Sequence, residues 1–155
     1  MNETSHQMLE PLRAAVMVPL EDTAAFRLFT EGIADWWPLA SFSVGEERAQ
    51  ACFFEARVDG RIYERMADGS EAEWGRVQAW EPPRRVVYSW YPGHGPDDGQ
   101  EIELSFIGEG DGTRLELIHR GWERRGERAA EVRASYEAGW PVVLGRYVER
   151  ANSTG

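Results

Sequence analysis

Two ionisable side chains, His119 and Glu64, lie in predicted strands at positions that face a protein core. His119 is in phase with Leu117, and Glu64 is in phase with Ile62, so both are predicted to point inward. A buried carboxylate must be paired or protonated, and Arg76 or His119 could be its partner. A pair formed by Glu64 and His119 could perform general acid–base chemistry on a bound substrate, or it could only complete a buried polar network.

Aromatic residues are abundant, with seven Trp, six Phe and five Tyr. Small-molecule sites are mostly apolar with a few convergent polar groups. Trp, Tyr and His can supply both the apolar surface and the polar groups. The alternative is that the rings pack against one another and leave no usable volume. We predict a cavity for a hydrophobic or amphipathic ligand between a sheet and the last helix, with the candidate site residues Trp36, Trp37, Phe54, Glu64, Tyr88, Trp90, Phe106, Leu117, His119, Tyr136 and Trp140.

Other chemistries have little support in the sequence. The three histidines, His6, His94 and His119, lack the paired spacing of a metal site, and the acidic turn at Asp97–Asp98 lacks the EF-hand pattern. All 17 basic residues are Arg, which removes a Schiff-base lysine and a P-loop lysine. Cys52 is alone, and no Gly-x-Ser-x-Gly elbow is present. We therefore expect no metal and no cofactor.

The charge and hydropathy of the chain exclude two classes of partner. A formal net charge of −10 disfavours binding to nucleic acid or to an anionic membrane surface. No signal peptide is visible, and no apolar stretch reaches the ~18 residues that span a bilayer. We expect a cytoplasmic protein with a single domain over residues 11–150, and flexible tails at 1–10 and 151–155.

Short strands dominate the middle of the chain. Alternation is clearest in the late strands, where one side of each is apolar and the other is charged, as in a half-buried antiparallel sheet. Turn residues such as Asp59-Gly60 and Asp68-Gly69 separate neighbouring strands. A helix from Pro19 to Gly32 follows the first strand, and a short turn at Ile33–Trp37 follows the helix. The predicted strands are 12–18, 51–58, 61–66, 71–80, 85–91, 101–107 and 113–120.

The last predicted element is a long helix from Gly126 to Arg150, with an apolar stripe at helical spacing. Pro141 falls inside it, directly after Gly139 and Trp140. Because proline removes a backbone hydrogen bond, we predict a kink or break near Gly139. This irregularity could be a hinge that adjusts the cavity volume, or a static bend that fits the curved sheet.

Trp74 and Trp80 share one face of a predicted strand, and Val77 and Ala79 occupy the other. If the smaller residues face the helix, both tryptophans lie on the convex side of the sheet. An exposed aromatic patch often marks a partner surface. This alternation therefore predicts a homodimer or a protein partner.

Several segments carry a family resemblance: VPLEDTAAFRLFTEGIADWWP at 18–38, GRIYER at 60–65, WGRVQAWEPPRRVVYSW at 74–90, GTRLELIHRGW at 112–122 and YEAGWPVVL at 136–144. Together they resemble the SRPBCC, or START-like, proteins of the activator-of-heat-shock-chaperone-ATPase type. The resemblance implies an α+β helix-grip fold, in which a curved antiparallel sheet surrounds a long C-terminal helix and two short helices follow the first strand. It also implies a hydrophobic cavity between the sheet and that helix.

Three functional hypotheses follow from the residues and the resemblance together. The first is a small-molecule-binding protein. The second is an enzyme that uses the same cavity, cyclase-like or hydrolase-like, with His119 and Glu64 as polar participants. The third is a protein-interaction module, such as a chaperone regulator, which would use the convex face.

Overall fold

The computed structural model describes residues 9–154. Two α-helices are present in this range, α1 at Asp22–Phe29 and α2 at Ala129–Thr154, with short 3₁₀ turns between some of the other elements. The strands are β1 Leu12–Val18, β2 Ala49–Phe54, β3 Arg61–Met66, β4 Glu71–Glu81, β5 Arg85–Trp90, β6 Gln100–Glu109 and β7 Gly112–Arg120. The order of strands and helices along the chain agrees with the sequence-based prediction. Most of the observed boundaries differ from the predicted ones by a few residues.

The strands form one seven-stranded sheet in the order β1-β7-β6-β5-β4-β3-β2. Every neighbouring pair is antiparallel, as the short turns predict. In β7 the buried residues alternate strictly with half-buried ones, so Leu115, Leu117 and His119 all face the core. The sheet curls around α2, and the predicted helix-grip fold is confirmed.

Helix α2 fills the concave side of the sheet. The Trp140 indole donates a hydrogen bond to the ring of His119 on β7, and the Tyr147 hydroxyl donates to the carbonyl of Ala25 on α1. The helix continues through Pro141, so of the kink or break predicted near Gly139 the break is wrong, and the kink stays a prediction. Because Pro141 has no N–H, the carbonyl of Glu137 lacks its usual helical donor. Both residues are exposed, so water can donate to that carbonyl instead.

Helix α2 continues to Thr154, so residues 151–154 are helical and belong to the last helix, not to a separate tail as predicted for 151–155. Ala151 is fully buried. The apolar stripe of α2 simply extends by one more turn. Most of the tail predicted at residues 1–10 lies outside the described residues. The carbonyl of Glu10, within the described range, accepts a hydrogen bond from Arg133 at 2.8 Å.

Strand β4 contains two β-bulges that change which of its residues face inward. Trp74 has no partner residue on β3, and Gln78 has none on β5. Each extra residue shifts the alternation by one position, so Trp74 and Val77 are both buried at 1% exposure. Trp80 is partly buried and packs against the core. The exposed aromatic patch predicted from strict alternation is therefore wrong.

Within residues 9–154, no helix combines the length and hydropathy that a bilayer-spanning segment needs.

Candidate ligand-binding site

A cavity of about 310 Å³ lies between α2, the end of β5 and the loop of residues 41–44. This volume is at the small end of the range, roughly 300–1,000 Å³, in which small-molecule sites fall. Five aromatic rings dominate its wall: Trp37, Phe42, Trp90, Tyr136 and Trp140. The other lining residues are small or polar and uncharged, namely Ser41, Ser43, Val44, Pro92, Gly93, Ser135, Gly139 and Val143.

The mouth of the cavity is marked by exposed lining residues, which include Ser41, Val44 and Ser135. Trp140 and Val143 are buried, at 2% and 3% exposure, and form its inner wall. None of the described lining residues carries a charge, although the chain as a whole carries a formal net charge of −10. The surroundings therefore favour an uncharged occupant, because burying an ion is costly unless an opposite charge or several hydrogen bonds satisfy it.

The tryptophans around the cavity are part of a larger ring cluster. The centroid of Trp37 lies 5.2 Å from Trp74, 5.9 Å from Trp90 and 6.3 Å from Trp140. Contacts of this kind stabilise a rigid aromatic wall. The cluster needs Trp74 to be buried, and the bulge in β4 makes that possible.

The indole N–H groups of the three lining tryptophans are all engaged. Trp37 donates to the carbonyl of Phe42 at 2.8 Å, Trp90 to the hydroxyl of Tyr136 at 3.1 Å, and Trp140 to Nδ1 of His119 at 3.0 Å. These bonds fix the orientation of each ring. They also leave the tryptophans with mainly carbon surface to present to the cavity.

Glu64 is fully buried and holds the loop that forms one wall. Its Oε1 accepts hydrogen bonds from the backbone N–H of Val44 at 2.7 Å and from the Trp74 indole, and its Oε2 accepts from the N–H of Gly45 at 2.7 Å. Three N–H donors satisfy a carboxylate without a cation. Glu64 is thus one layer behind the cavity and positions Val44.

The sequence-based partners of Glu64 are wrong. Arg76 pairs with Glu73, and side chains of both are partly exposed. His119 has other partners, described below. The mistake has a physical cause, because backbone amides of a distant loop satisfy the carboxylate in place of a charged side chain.

Gly45 makes this close approach possible. A Cβ atom at this position would lie 2.3 Å from the sulfur of Met66 and 3.2 Å from Oε2 of Glu64. No other residue type could bring its backbone N–H so near to the carboxylate without displacing Met66.

His119 is also fully buried and is held in one tautomer. Its Nδ1 accepts from Trp140, so the proton is on Nε2, which lies 3.2 Å from Oε1 of Gln100 and donates to it. Burial lowers the pKa of His119 from 6.5 to about 3, so the ring is neutral near pH 7. The rings of Trp122 and Tyr136 pack against it, with centroids at 4.2 and 4.8 Å.

Of the residues proposed from the sequence, the structure brings four together around the cavity: Trp37, Trp90, Tyr136 and Trp140. Glu64 and His119 each contact that wall from behind, through Val44 and Trp140 respectively. The remaining five are buried in the core cluster away from the cavity lining: Trp36, Phe54, Tyr88, Phe106 and Leu117.

Sequence reasoning missed the loop of residues 41–44 and the small residues of α2. Phe42 contributes a ring, and Gly139 leaves room for it, since a Cβ at Gly139 would lie 3.2 Å from that ring. A glycine beside Trp140 in an otherwise regular helix was the available clue, because glycine in a helix often marks a close approach.

The single thiol is not available as a nucleophile. Cys52 is 1% exposed, and burial together with the negative charge of Glu64 raises its pKa to about 12. Among the described residues, no group of three or more His, Cys, Asp or Glu side chains is arranged to hold a metal ion.

Comparison with known proteins gives one family and several related structures. The family model described as Activator of Hsp90 ATPase homolog 1-like protein matches residues 22–149. An anthrahydroquino-gamma-pyrone synthase, Txn09, solved in complex with SUM, is 33% identical, with a TM-score of 0.65, and the match covers 92% of this chain and 97% of that one. A search of curated proteins gave no significant match.

Two further structures have the same fold. CalC, a self-sacrificing resistance protein from Micromonospora echinospora, is 26% identical, with a TM-score of 0.67, and the match covers 94% of this chain and 96% of CalC. The Aha1 dimer from Colwellia psychrerythraea is 16% identical, with a TM-score of 0.64, over 91% of this chain and 95% of that one. At that identity the likeness to Aha1 shows the fold alone.

Proposed function

The chain belongs to the Activator of Hsp90 ATPase homolog 1-like family, and we propose that it binds an uncharged, largely apolar small molecule in the cavity beside α2. The observation that carries the proposal is the lining itself: within residues 9–154, five aromatic rings and no charged side chain surround about 310 Å³. A flat ligand could stack on these rings and displace water from apolar surface, which is the main source of affinity in such sites.

The related structures support a small-molecule role. The most similar of those described above is a synthase whose structure includes a bound compound, and a second is a resistance protein. Both align with nearly the whole of this chain.

Catalysis in the same cavity is a second candidate, because one relative at 33% identity is a synthase. The predicted acid–base pair does not support it, since Glu64 and His119 have separate partners and neither lines the cavity. Turnover would have to depend on Tyr136, the one titratable residue among the described residues that line it. A protein partner such as a chaperone is suggested by the family description, but the aromatic patch that favoured it is absent because Trp74 is buried.

A cavity-blocking variant with a matched control tests ligand binding. Gly139→Leu would place a branched side chain into the cavity against Phe42, while Gly145→Leu adds the same side chain at an exposed site of the same helix with no atom within 4 Å of the new Cβ. Both changes replace glycine in a helix and gain similar helix propensity. Binding is measured by the fluorescence of N-phenyl-1-naphthylamine, an uncharged apolar probe that brightens in apolar sites.

We expect wild type and Gly145→Leu to bind the probe alike, and Gly139→Leu to bind it at least about tenfold more weakly, which corresponds to about 1.4 kcal/mol. Circular dichroism and thermal unfolding check that both variants fold. Equal binding by all three proteins, or no binding by any of them, would rule out this cavity as the site.

A further inference from the structure

Among the described side chains that line the cavity away from its mouth, one hydrogen-bond donor is free. The three lining indoles donate to protein acceptors, and the Ser43 hydroxyl donates to the carbonyl of Leu39 at 2.6 Å. Ser41 and Ser135 are exposed at the mouth, where water competes for them. The hydroxyl of Tyr136 accepts from Trp90 and donates to no described residue.

The environment of Tyr136 keeps this hydroxyl protonated and oriented. Burial raises its pKa, against smaller opposing effects from the hydrogen bond of Trp90 and the charge of Arg125, so the group stays a phenol and a donor near pH 7. Trp90 occupies one side of the oxygen at 3.1 Å. The hydroxyl therefore accepts from one lining residue, Trp90, and its own proton has no acceptor among the described residues.

We infer that Tyr136 donates a hydrogen bond to an oxygen of the ligand, and that the ligand belongs to the class of flat, uncharged aromatic ketones or quinones. The inference rests on the proposed function and narrows it. A carbonyl oxygen of the ligand would accept from the Tyr136 hydroxyl. The ring system of the ligand would pack against the aromatic side chains of the cavity wall. Carboxylates and phosphates fit poorly, because the described part of the chain lines the cavity with no cationic side chain and no cluster of free side-chain donors.

A pair of probes that differ by one carbonyl tests the inference. Fluorenone and fluorene have nearly the same shape, and only fluorenone carries an acceptor. Their affinities are measured by displacement of N-phenyl-1-naphthylamine from wild type and from Tyr136→Phe. Tyr91→Phe is the matched control, because the Tyr91 hydroxyl donates to Glu73 and Tyr91 does not line the cavity.

We expect wild type and Tyr91→Phe to bind fluorenone about fivefold more tightly than fluorene, the usual size of one neutral hydrogen bond. For Tyr136→Phe, the ratio of the fluorene and fluorenone dissociation constants should fall to about one. Measurable binding of fluorene by this variant shows that the cavity survives the loss of the acceptor for Trp90.

Three results would overturn the inference. If wild type does not prefer fluorenone, or if Tyr136→Phe keeps the preference, Tyr136 is not the recognition group, while binding of both probes leaves the cavity proposal intact. If neither probe nor N-phenyl-1-naphthylamine binds wild type, the proposed function fails together with the inference.

Discussion

Replacing Glu64 with glutamine should loosen the loop that forms one wall of the cavity. The carboxylate accepts from Val44, Gly45 and Trp74, and glutamine keeps only one acceptor oxygen. If that oxygen takes the place of Oε1, the new amide N–H₂ faces the N–H of Gly45, donor against donor. The opposite rotamer is worse, because it places the amide against two donors.

The expected loss of stability follows from these contacts. An unsatisfied buried donor costs about 1–3 kcal/mol, and the two remaining hydrogen bonds lose their charge assistance. We expect Glu64→Gln to lower the free energy of unfolding by about 2–4 kcal/mol. For a chain of 155 residues, that corresponds to a fall in Tm of roughly 5–15 °C.

Urea denaturation followed by tryptophan fluorescence measures the change, and Glu71→Gln is the control. Glu71 lies on the neighbouring strand, is 34% exposed at its side chain, and pairs with Arg61 and Arg65. Because such exposed ion pairs contribute about 0–1 kcal/mol, Glu71→Gln should have a small effect. The same two variants are then titrated with N-phenyl-1-naphthylamine, and only Glu64→Gln should bind it more weakly.

The reasoning is refuted if Glu64→Gln unfolds within about 0.5 kcal/mol of wild type. That result would mean that the loop does not depend on the carboxylate. If Glu64→Gln loses much stability but binds the probe as wild type does, Glu64 stabilises the loop but does not shape the cavity.

Two further predictions concern the ring cluster around His119. Because the native ring has a pKa of about 3 and the unfolded one about 6.5, only the unfolded chain gains this proton between those values, so native stability falls as pH falls through that window. Between about pH 7 and pH 5, wild type should lose about 2 kcal/mol more than His119→Gln in urea denaturation. Separately, Trp140→Phe should destabilise by about 1–3 kcal/mol more than Trp122→Phe, since Trp140 donates to His119 while the buried Nε1 of Trp122 has no partner among the described residues.

Each of these predictions has a clear contrary outcome. Parallel pH profiles for wild type and His119→Gln would show that the histidine is protonated in the native state. Equal destabilisation by the two Trp→Phe changes would show that the hydrogen bond between Trp140 and His119 contributes nothing net, because the two buried tryptophans lose similar ring area.

The sequence supported predictions that depend on local periodicity. Alternation in β7 predicted that His119 points inward, and alternation in β3 predicted the same for Glu64; both side chains are buried. Periodicity gives the direction of a side chain but not its partner. The partners of both residues come from segments far away in the chain, and Gly45 and Trp140 are 19 and 21 residues from the groups they contact.

One bulge accounts for two of the wrong predictions together. Strict alternation placed Trp74 on the convex face, yet the extra residue in β4 turns it into the core. There its indole donates to Glu64, so the carboxylate needs no cation, and its ring packs 5.2 Å from Trp37 on the cavity wall. Gly75, next to the bulge, allows the backbone of β4 to approach β5 closely at this point. A Cβ at Gly75 would lie 1.8 Å from the carbonyl oxygen of Ser89. The glycine directly after Trp74 was therefore the sequence feature that indicated a bulge, and with it a buried Trp74 in place of an exposed one.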